Sequence, residues 1–160
     1  RYSDKSYLRT YIGRDKATGW EAIMMSWCEG NVTSIHAHPQ FAGYHFADGR
    51  FRLEIFEATA DGKARRIKDV TITAPCAFYA IGDEGSFENH IHRITCLSPT
   101  GHSLHVYSDD ARQGKVYEEE NRVPPYSASF SKHKKLGPQS STAEFFLRNY
   151  MYIMFNYTVS

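Results

Sequence analysis

The sequence predicts an all-β domain in which short antiparallel strands form a sandwich or a barrel. Two observations predict this fold class: strand-like segments recur along the chain between turn signals, and no long amphipathic helix pattern separates them. The length of 160 residues is sufficient for one domain with a real core. We therefore expect residues 1–160 to form a single domain, and a first residue other than methionine leaves open whether N-terminal residues are missing.

The predicted strands follow one another between short turns. In chain order they cover residues 21–27, 50–57, 65–72, 77–81, 90–97 and 103–107. The turn signals between them include Asp48-Gly49, Asp61-Gly62 and a run at 82–85. Residues 109–141 are polar and predict a long excursion along the surface, whereas the aromatic segment 142–160 suits a helix or a strand packed on the body or on another subunit.

Composition narrows the possible partners and the cellular setting. The net charge of +1 gives no reason to expect nucleic acid, and no apolar run has the length of a membrane span. Three cysteines without a CxxC pair argue against a disulfide framework and against a cysteine-rich zinc site. A cytoplasmic protein with no nucleic-acid or membrane partner is expected, and the oligomeric state stays open.

Two pairs of alternating histidines are the main chemical signal. His36 and His38 would project from the same face of a strand, so both imidazoles can reach one metal ion. A second pair, His90 and His92, follows about fifty residues later. The sequence therefore predicts a metal held inside the barrel.

The surroundings of the first pair resemble the first motif of the cupins, a superfamily of small β-barrels. In most cupins a glutamate at the position of Ala42 supplies a carboxylate ligand, which alanine cannot replace. The resemblance implies a cupin-type antiparallel β-barrel, a jelly roll. The residues that carry it are Gly30, His36, His38, Ala42 and Gly49.

Without that carboxylate, the third ligand is expected to be a histidine. His92 fits because it follows a turn-rich segment on a later strand, as the second cupin motif requires, but His90 shares its strand face and is a rival. Three imidazoles leave adjacent positions on an octahedral metal open, as an iron(II) oxygenase requires. A structural zinc site would normally have a fourth protein ligand.

Three further segments resemble the cysteine dioxygenase family, a branch of the cupins. The run 27–38, which begins Trp-Cys-Glu-Gly, resembles the family's Trp-Gly-x-Gly segment before its histidine pair. His92-Arg93-Ile94 resembles its His-Arg-Val, which favours His92 over His90, and residues 103–108 resemble its Ser-Leu-His-Leu-Tyr-Ser strand. The resemblance implies Fe(2+) at His36, His38 and His92, and oxidation of L-cysteine by dioxygen to cysteine sulfinic acid.

Ser103, His105 and Tyr107 alternate along one predicted strand. Their side chains therefore emerge on one face and can form a hydrogen-bonded relay. In the family the tyrosine hydroxyl lies near the iron and is thought to help position substrate and oxygen. The resemblance implies the same role for Tyr107.

Substrate recognition requires a cation for a carboxylate. Tyr7-Leu8-Arg9-Thr10 resembles the family's Tyr-x-Arg-Asn segment, whose arginine binds the carboxylate of cysteine, so Arg9 is the candidate and Tyr7 lies beside it. Arg14 is the competitor. Met25 and Trp27 alternate before the histidine pair and either line the pocket or fill the core.

Several positions depart from the family's pattern. Neither Ala42 nor Gly43 offers the cysteine that cross-links to the relay tyrosine in animal members, which resembles bacterial members. Thr10 replaces the motif's asparagine, Cys96 stands where the second cupin motif has asparagine, and Asp109-Asp110 replaces the prolines that commonly follow the relay strand. The predicted metal ligands and relay are unaffected.

Three other functions compete with cysteine oxidation. The alternatives are a dioxygenase of another small thiol such as 3-mercaptopropionate, a cupin module that binds metal without turnover, and a zinc-dependent cupin such as an isomerase. Relatives that use 3-mercaptopropionate usually lack the arginine near the start, so Arg9 favours cysteine. The relay favours an enzyme over a binding module.

Overall fold

The computed structural model describes residues 1–120 and, for residues 152–154, the backbone alone. Nearly all regular structure in this part of the chain is antiparallel β-strand, with one short 3-10 helix at Ala111–Gln113. The strands are β1 (Leu8–Arg14), β2 (Glu21–Cys28), β3 (Ile35–His38), β4 (Phe41–Asp48), β5 (Arg50–Ala58), β6 (Ala64–Thr73), β7 (Cys76–Ile81), β8 (Asn89–Cys96), β9 (Thr100–Tyr107), β10 (Val116–Tyr117) and β11 (Tyr152–Met154).

Two sheets face each other. Sheet A has the order β1-β2-β9-β4-β7-β11, and sheet B has the order β10-β3-β8-β5-β6. The antiparallel pairs β2–β9, β3–β8, β4–β7 and β5–β6 are nested along the chain. This nesting across two sheets is the arrangement of a jelly roll, in which a long hairpin folds over on itself.

The core lies between the sheets because alternate residues of each strand point inward. In β2 the alternation buries Ile23, Met25 and Trp27, while the intervening side chains are more exposed. Sheet B contributes Phe51, Leu53 and further apolar side chains to the same cluster. The hydrophobic pattern of the strands therefore fixes which residues face the interior, including the polar ones described below.

A second apolar cluster covers the outer face of sheet B. The segment after β9 crosses this face, where β10 pairs with β3 and Ala64 forms a bridge with Glu119. Tyr117 is buried there against the outward-facing residues Ile35 and Ala37 of β3. The segment after β9 therefore joins β3, which carries two of the histidines, to β6 at the other edge of sheet B.

Glu54 fastens β5 to β8. Its carboxylate is 1% exposed, accepts hydrogen bonds from Arg93 at 2.6 and 2.9 Å, and also pairs with Arg66 at 2.6 Å. The guanidinium of Arg93 lowers the pKa of Glu54, so the carboxylate stays charged. Because Arg93 follows His92 directly, this network helps to hold the third histidine in register.

The predicted fold class, an all-β jelly-roll barrel, is confirmed. The six predicted strands correspond to β2, β5, β6, β7, β8 and β9, with ends that differ by three residues or fewer. Strands β1, β4 and β10 were not predicted as such. Residues 109–120 include β10 and the 3-10 helix rather than an irregular surface excursion alone, and residues 152–154 pair with β7 as an edge strand. The remainder of 109–141 and 142–160 lies outside the described residues.

The turn between β4 and β5 requires glycine. Gly49 has a φ of 92°, and a Cβ there would lie 2.9 Å from both Ser98 Oγ and Thr100 O.

No helical segment in the described part of the chain has the length and apolar character needed to cross a membrane.

Candidate metal centre

Three imidazoles meet between β3 and β8. His36 and His92 are register partners in the two antiparallel strands, and His38 lies two residues along β3 on the same inner face. One ring nitrogen from each lies within 4.8 Å of the other two. Within residues 1–120 this is the only such group of three histidine, cysteine or acidic side chains. The structure thus brings together the three histidines predicted as ligands.

Backbone carbonyls orient two of these rings. Nδ1 of His36 lies 2.9 Å from the carbonyl oxygen of Ser34, and Nδ1 of His38 lies 3.2 Å from that of His90. A carbonyl only accepts, so each Nδ1 carries the proton and each Nε2 keeps a free lone pair. Such second contacts orient metal-binding histidines in proteins.

The residues present fit a divalent metal ion. Nε2 of His38 and Nε2 of His92 are buried and have no hydrogen-bond partner in the described structure. Burial lowers the pKa of both rings well below the usual histidine value, and the neighbouring imidazoles lower it further. Both rings are therefore neutral, which is the form that binds a metal.

His90 is directed elsewhere. Its backbone has a φ of 54°, and its Nε2 lies 3.1 Å from the carbonyl oxygen of Gln40. The ring is not part of the cluster with His36 and His38. Of the two histidines that were rivals for the third position, His92 alone is placed there.

Alanine occupies the position at which the first cupin motif carries a carboxylate ligand. Ala42 is fully buried and is the register partner of Tyr107 in the neighbouring strand. The methyl group leaves the space beside Tyr107 apolar and offers no ligand atom. This agrees with a centre built from histidines alone.

The predicted relay is present and has one further member. Nδ1 of His105 lies 3.0 Å from the Tyr107 hydroxyl, Nε2 of His105 lies 2.8 Å from Ser103 Oγ, and Nε1 of Trp27 donates to Ser103 Oγ at 2.9 Å. All four side chains are buried. Register pairs β9 with β2 on one side and β4 on the other, which places the relay in the middle of sheet A.

The direction of the relay follows from its buried hydroxyl. Ser103 Oγ accepts a hydrogen bond from the indole N–H of Trp27. Its own proton is then donated to Nε2 of His105, which is its other partner in the described structure. His105 then carries its proton on Nδ1 and donates to the Tyr107 oxygen. The Tyr107 proton is left free to point away from His105.

Burial also sets the charge of the relay. It lowers the pKa of His105 to about 3, and the neighbouring His36 ring and Arg9 guanidinium lower it further. Burial raises the pKa of Tyr107, partly offset by the positive charge of Arg9. At neutral pH the relay therefore consists of a neutral imidazole and a neutral phenol. The Tyr107 ring stacks on His38 with centroids 5.4 Å apart, which links the relay to the histidine cluster.

One cavity of about 250 Å³ is lined both by His36 and His38 and by His105 and Tyr107 of the relay. This volume lies below the range typical of drug-sized ligands and suits a small molecule. Its walls come from both sheets and from the segment after β9. They include Tyr7, Arg9, Met25, Thr33, Ser34, His36, His38, Ile94, His105, Tyr107, Arg112 and Val116.

Arg9 and Arg14 have different surroundings. Arg9 lines the cavity and has no ion-pair partner in the described part of the chain. Arg14 lies 3.1 Å from Glu21 and 3.5 Å from Asp109, outside the walls of this cavity. Of the two arginines that were rivals for a substrate carboxylate, only Arg9 lines this cavity.

Trp27 does not line the cavity, in contrast to one of the two predicted locations. It is fully buried, its ring lies 4.8 Å from Tyr7 and 5.7 Å from Phe51, and its N–H is used by Ser103. An inward residue at the far end of β2 falls in the core rather than at the opening. Met25, two residues earlier, lies at the cavity wall and also packs in the core cluster, so both of the locations considered for it apply.

Sequence reasoning missed part of the cavity wall. Ile94 shares the strand face of His92, so the alternation in β8 was a usable signal. Arg112 and Val116 belong to a segment whose polar composition indicated only surface, and no pattern in the sequence points to them. Arg112 is paired with Asp110 at 2.8 Å.

Comparisons with known proteins bear on the fold. Neither a protein-family model nor a curated protein matches the chain. Among solved structures, peruvianin-I, a cysteine peptidase from Thevetia peruviana latex, superposes with a TM-score of 0.51 at 11% identity, over 74% of this chain and 71% of that one. At that identity the likeness extends to the fold alone. The fold itself is a jelly roll of two antiparallel sheets.

Named cupins are also among the structural neighbours. A cupin superfamily protein from Desulfitobacterium hafniense has a TM-score of 0.49 at 9% identity, over 68% of this chain and 82% of that one. A variant of oxalate decarboxylase from Bacillus subtilis has a TM-score of 0.46 at 16% identity, over 62% of this chain and 24% of that one. The present chain thus spans about a quarter of the decarboxylase.

Proposed function

We propose that this chain is an iron-dependent thiol dioxygenase that converts L-cysteine and dioxygen to cysteine sulfinic acid. One observation carries the proposal: a single small cavity contains imidazoles of the histidine cluster, the Tyr107 end of the relay and the guanidinium of Arg9. These are a metal site, a hydrogen-bond donor and a carboxylate partner. The resemblance of the same residues to the cysteine dioxygenase family supports it.

The substrate is a small thiol that carries a carboxylate. Arg9 offers a planar fork of N–H groups and has no competing carboxylate among the described residues. It is therefore suited to bind a substrate carboxylate through two parallel hydrogen bonds. Arg14 cannot replace it while Glu21 and Asp109 neutralise its charge. The volume of about 250 Å³ matches a molecule of this size better than a peptide or a cofactor.

The three histidines would hold a ferrous ion, which would supply the redox-active centre and open coordination positions that thiol oxidation by dioxygen requires. The protein's own groups have other tasks. The relay holds the Tyr107 hydroxyl at the cavity wall with its proton directed away from His105. Ile94 and Met25 keep part of the wall apolar and limit access of water.

The overall reaction balances without an organic cofactor. The thiol R–SH and O2 give R–SO2H, so both oxygen atoms are transferred to sulfur and sulfur provides all the electrons. This agrees with a cavity that is too small to accommodate a nucleotide cofactor beside the substrate.

The relay distinguishes this proposal from a cupin that merely binds metal. A binding module gains nothing from an interior strand with a buried serine, histidine and tyrosine in one hydrogen-bonded row, since each buried polar group is costly unless it is satisfied. A structural zinc site normally has four protein ligands, and the histidine cluster provides three.

Oxygen consumption tests the proposal. Protein loaded anaerobically with Fe(2+) is mixed with L-cysteine, 3-mercaptopropionate or cysteamine in an oxygen electrode, and the product is identified by mass spectrometry. We expect cysteine to consume one O2 per sulfinate formed, with slower turnover of cysteamine, which lacks the carboxylate. Faster turnover of 3-mercaptopropionate would reassign the substrate, and no oxygen uptake with any of the three would contradict the proposal.

A further inference from the structure

Tyr44 occupies the space between the histidine cluster and the relay. It lies on β4 and is 4% exposed. Its ring centroid is 5.3 Å from that of His92, 6.0 Å from that of His38 and 5.1 Å from that of His105. On its other side it stacks on Phe78 at 5.0 Å. Neither the motifs of the sequence nor the proposed function assigns this residue a role.

The Tyr44 hydroxyl has no partner in the protein. Within residues 1–120, three buried side-chain nitrogen or oxygen atoms lack a hydrogen bond: Nε2 of His38, Nε2 of His92 and the Tyr44 hydroxyl oxygen. A buried polar group without a partner is destabilising, and native proteins contain few of them. All three belong to rings that contact one another, so a metal ion bound by the two nitrogens, together with a non-protein ligand of that ion, would give all three a partner.

We propose that the Tyr44 hydroxyl hydrogen-bonds to the non-protein ligand of the metal centre, on the side of His38 and His92. A phenol has one donor and free lone pairs, so it can hold a water, a thiolate or a carbonyl oxygen there. The centre then has two tyrosine hydroxyls, Tyr44 beside the histidines and Tyr107 at the end of the relay. This inference rests on the metal-binding part of the proposed function.

A different partner for the same hydroxyl would be an ordered water. A small cavity of about 30 Å³ is lined by Tyr44, Phe78, His90, His92 and neighbouring apolar residues, and this volume is sufficient for a single water. A water confined there would satisfy the hydroxyl without involving the metal's ligand. The two arrangements differ in whether removal of the hydroxyl reaches the metal.

The test compares Tyr44→Phe with Tyr117→Phe. Both variants remove one phenolic oxygen from a buried tyrosine, but the Tyr117 hydroxyl already donates to Glu88 at 3.1 Å, on the outer side of sheet B. Metal-free proteins are compared by thermal unfolding. Co(2+) affinity is then measured by competition with a chelator, and the visible absorption of the Co(2+) proteins is recorded before and after cysteine is added.

We expect the metal-free Tyr44→Phe protein to unfold at the wild-type temperature or higher, because an unsatisfied group has been removed. Its Co(2+) affinity should fall about tenfold or more, as is typical when a hydrogen-bond partner close to a metal is lost, and its visible spectrum should differ from that of wild type. Tyr117→Phe should unfold at a lower temperature with unchanged Co(2+) affinity and spectrum.

Two results overturn the inference, and they are distinguishable. If Tyr44→Phe binds Co(2+) with wild-type affinity and spectrum, the hydroxyl serves the small water cavity and the metal centre itself stands. If wild-type protein binds neither Co(2+) nor Fe(2+), both the proposed function and this inference are wrong.

Discussion

The Tyr107 hydroxyl oxygen lies 3.0 Å from Nδ1 of His105, and the same imidazole lies 2.8 Å from Ser103 Oγ through Nε2. Because the indole of Trp27 also donates to Ser103, the serine proton is directed to His105 and the histidine proton to Tyr107. A fully buried tryptophan thus fixes, through two other side chains, where the Tyr107 proton points. The relay connects the core of the barrel to its cavity.

Tyr107→Phe tests the hydroxyl at the end of this relay. We expect kcat for cysteine oxidation to fall about a hundredfold or more, as when a single positioned hydrogen-bond donor is removed from an active site. Iron content should stay at the wild-type level, because the three histidines are unchanged. Oxygen uptake and metal analysis of the same preparation measure both quantities. A variant with wild-type kcat would show that the hydroxyl has no part in the reaction.

Ser103→Ala tests the direction of the relay. The change leaves the Trp27 N–H without its acceptor, so the free energy of unfolding should fall by about 1–3 kcal/mol. It also allows His105 to take the other tautomer and accept the Tyr107 proton, so kcat should fall, though less than in Tyr107→Phe. Chemical denaturation gives the stability and oxygen uptake gives the rate.

The matched variant for that experiment is Trp27→Phe, alone and combined with Ser103→Ala. Because Trp27 and Ser103 share one hydrogen bond, the stability losses of the two single variants should sum to more than the loss in the double variant. Strict additivity would contradict the hydrogen bond as the link between them.

Arg9→Ala should raise KM for cysteine about tenfold to a hundredfold. The change removes a charge-assisted pair with the substrate carboxylate, which contributes about 1.5–3 kcal/mol. Turnover of cysteamine, which has no carboxylate, should change little. Arg14→Ala is the control, since its charge is already neutralised by Glu21 and Asp109. An equal rise in KM in both arginine variants would argue against a specific carboxylate site at Arg9.

Stability should decrease with acid because His105 is buried as a neutral ring. Its pKa is lowered to about 3 in the native protein, while an unfolded histidine titrates near 6.5. Between these values the unfolded chain binds a proton that the native protein does not. The free energy of unfolding therefore falls as pH falls, by about 1.4 kcal/mol per pH unit for this group, and the group makes no contribution above the unfolded value.

Denaturation of metal-free wild type and His105→Gln at several pH values between about 6 and 4 measures this contribution. The variant should show a shallower pH dependence by about 1.4 kcal/mol per pH unit. The pKa values of His38 and His92 are shifted in the same direction, and the contribution of these two rings to the pH dependence of stability remains in both proteins. Identical slopes would mean that His105 titrates normally in the native state.

Among the strands that the sequence predicted, β2 and β9 have a strong period-two pattern. In β2 and β9 each second residue is buried, and this alternation alone indicated that Ser103, His105 and Tyr107 share a face. Strand β1 was missed because most of its residues are exposed, and β4 because alanine and glycine interrupt its aromatic pattern. Their placement depends on the pairing partners, which are distant in the chain.

The site was predictable where it rests on short-range spacing. The spacing of two positions between His36 and His38 along a strand places both rings on the same face, whichever fold surrounds them. Spacing alone left His90 and His92 as rivals, and only the family resemblance favoured His92. The positive φ at His90 is not revealed by the local sequence. Arg112 and Tyr44 contribute through tertiary proximity alone, so no local pattern marks them.

Metal content of purified protein tests the central claim most directly. We predict about one iron per chain in wild type and loss of iron in His92→Ala. The control His90→Asn should also bind about one iron per chain, and asparagine tolerates the left-handed backbone at this position. Stoichiometric zinc, no bound metal in wild type, or equal iron content in His92→Ala and wild type would contradict an iron centre formed by His36, His38 and His92.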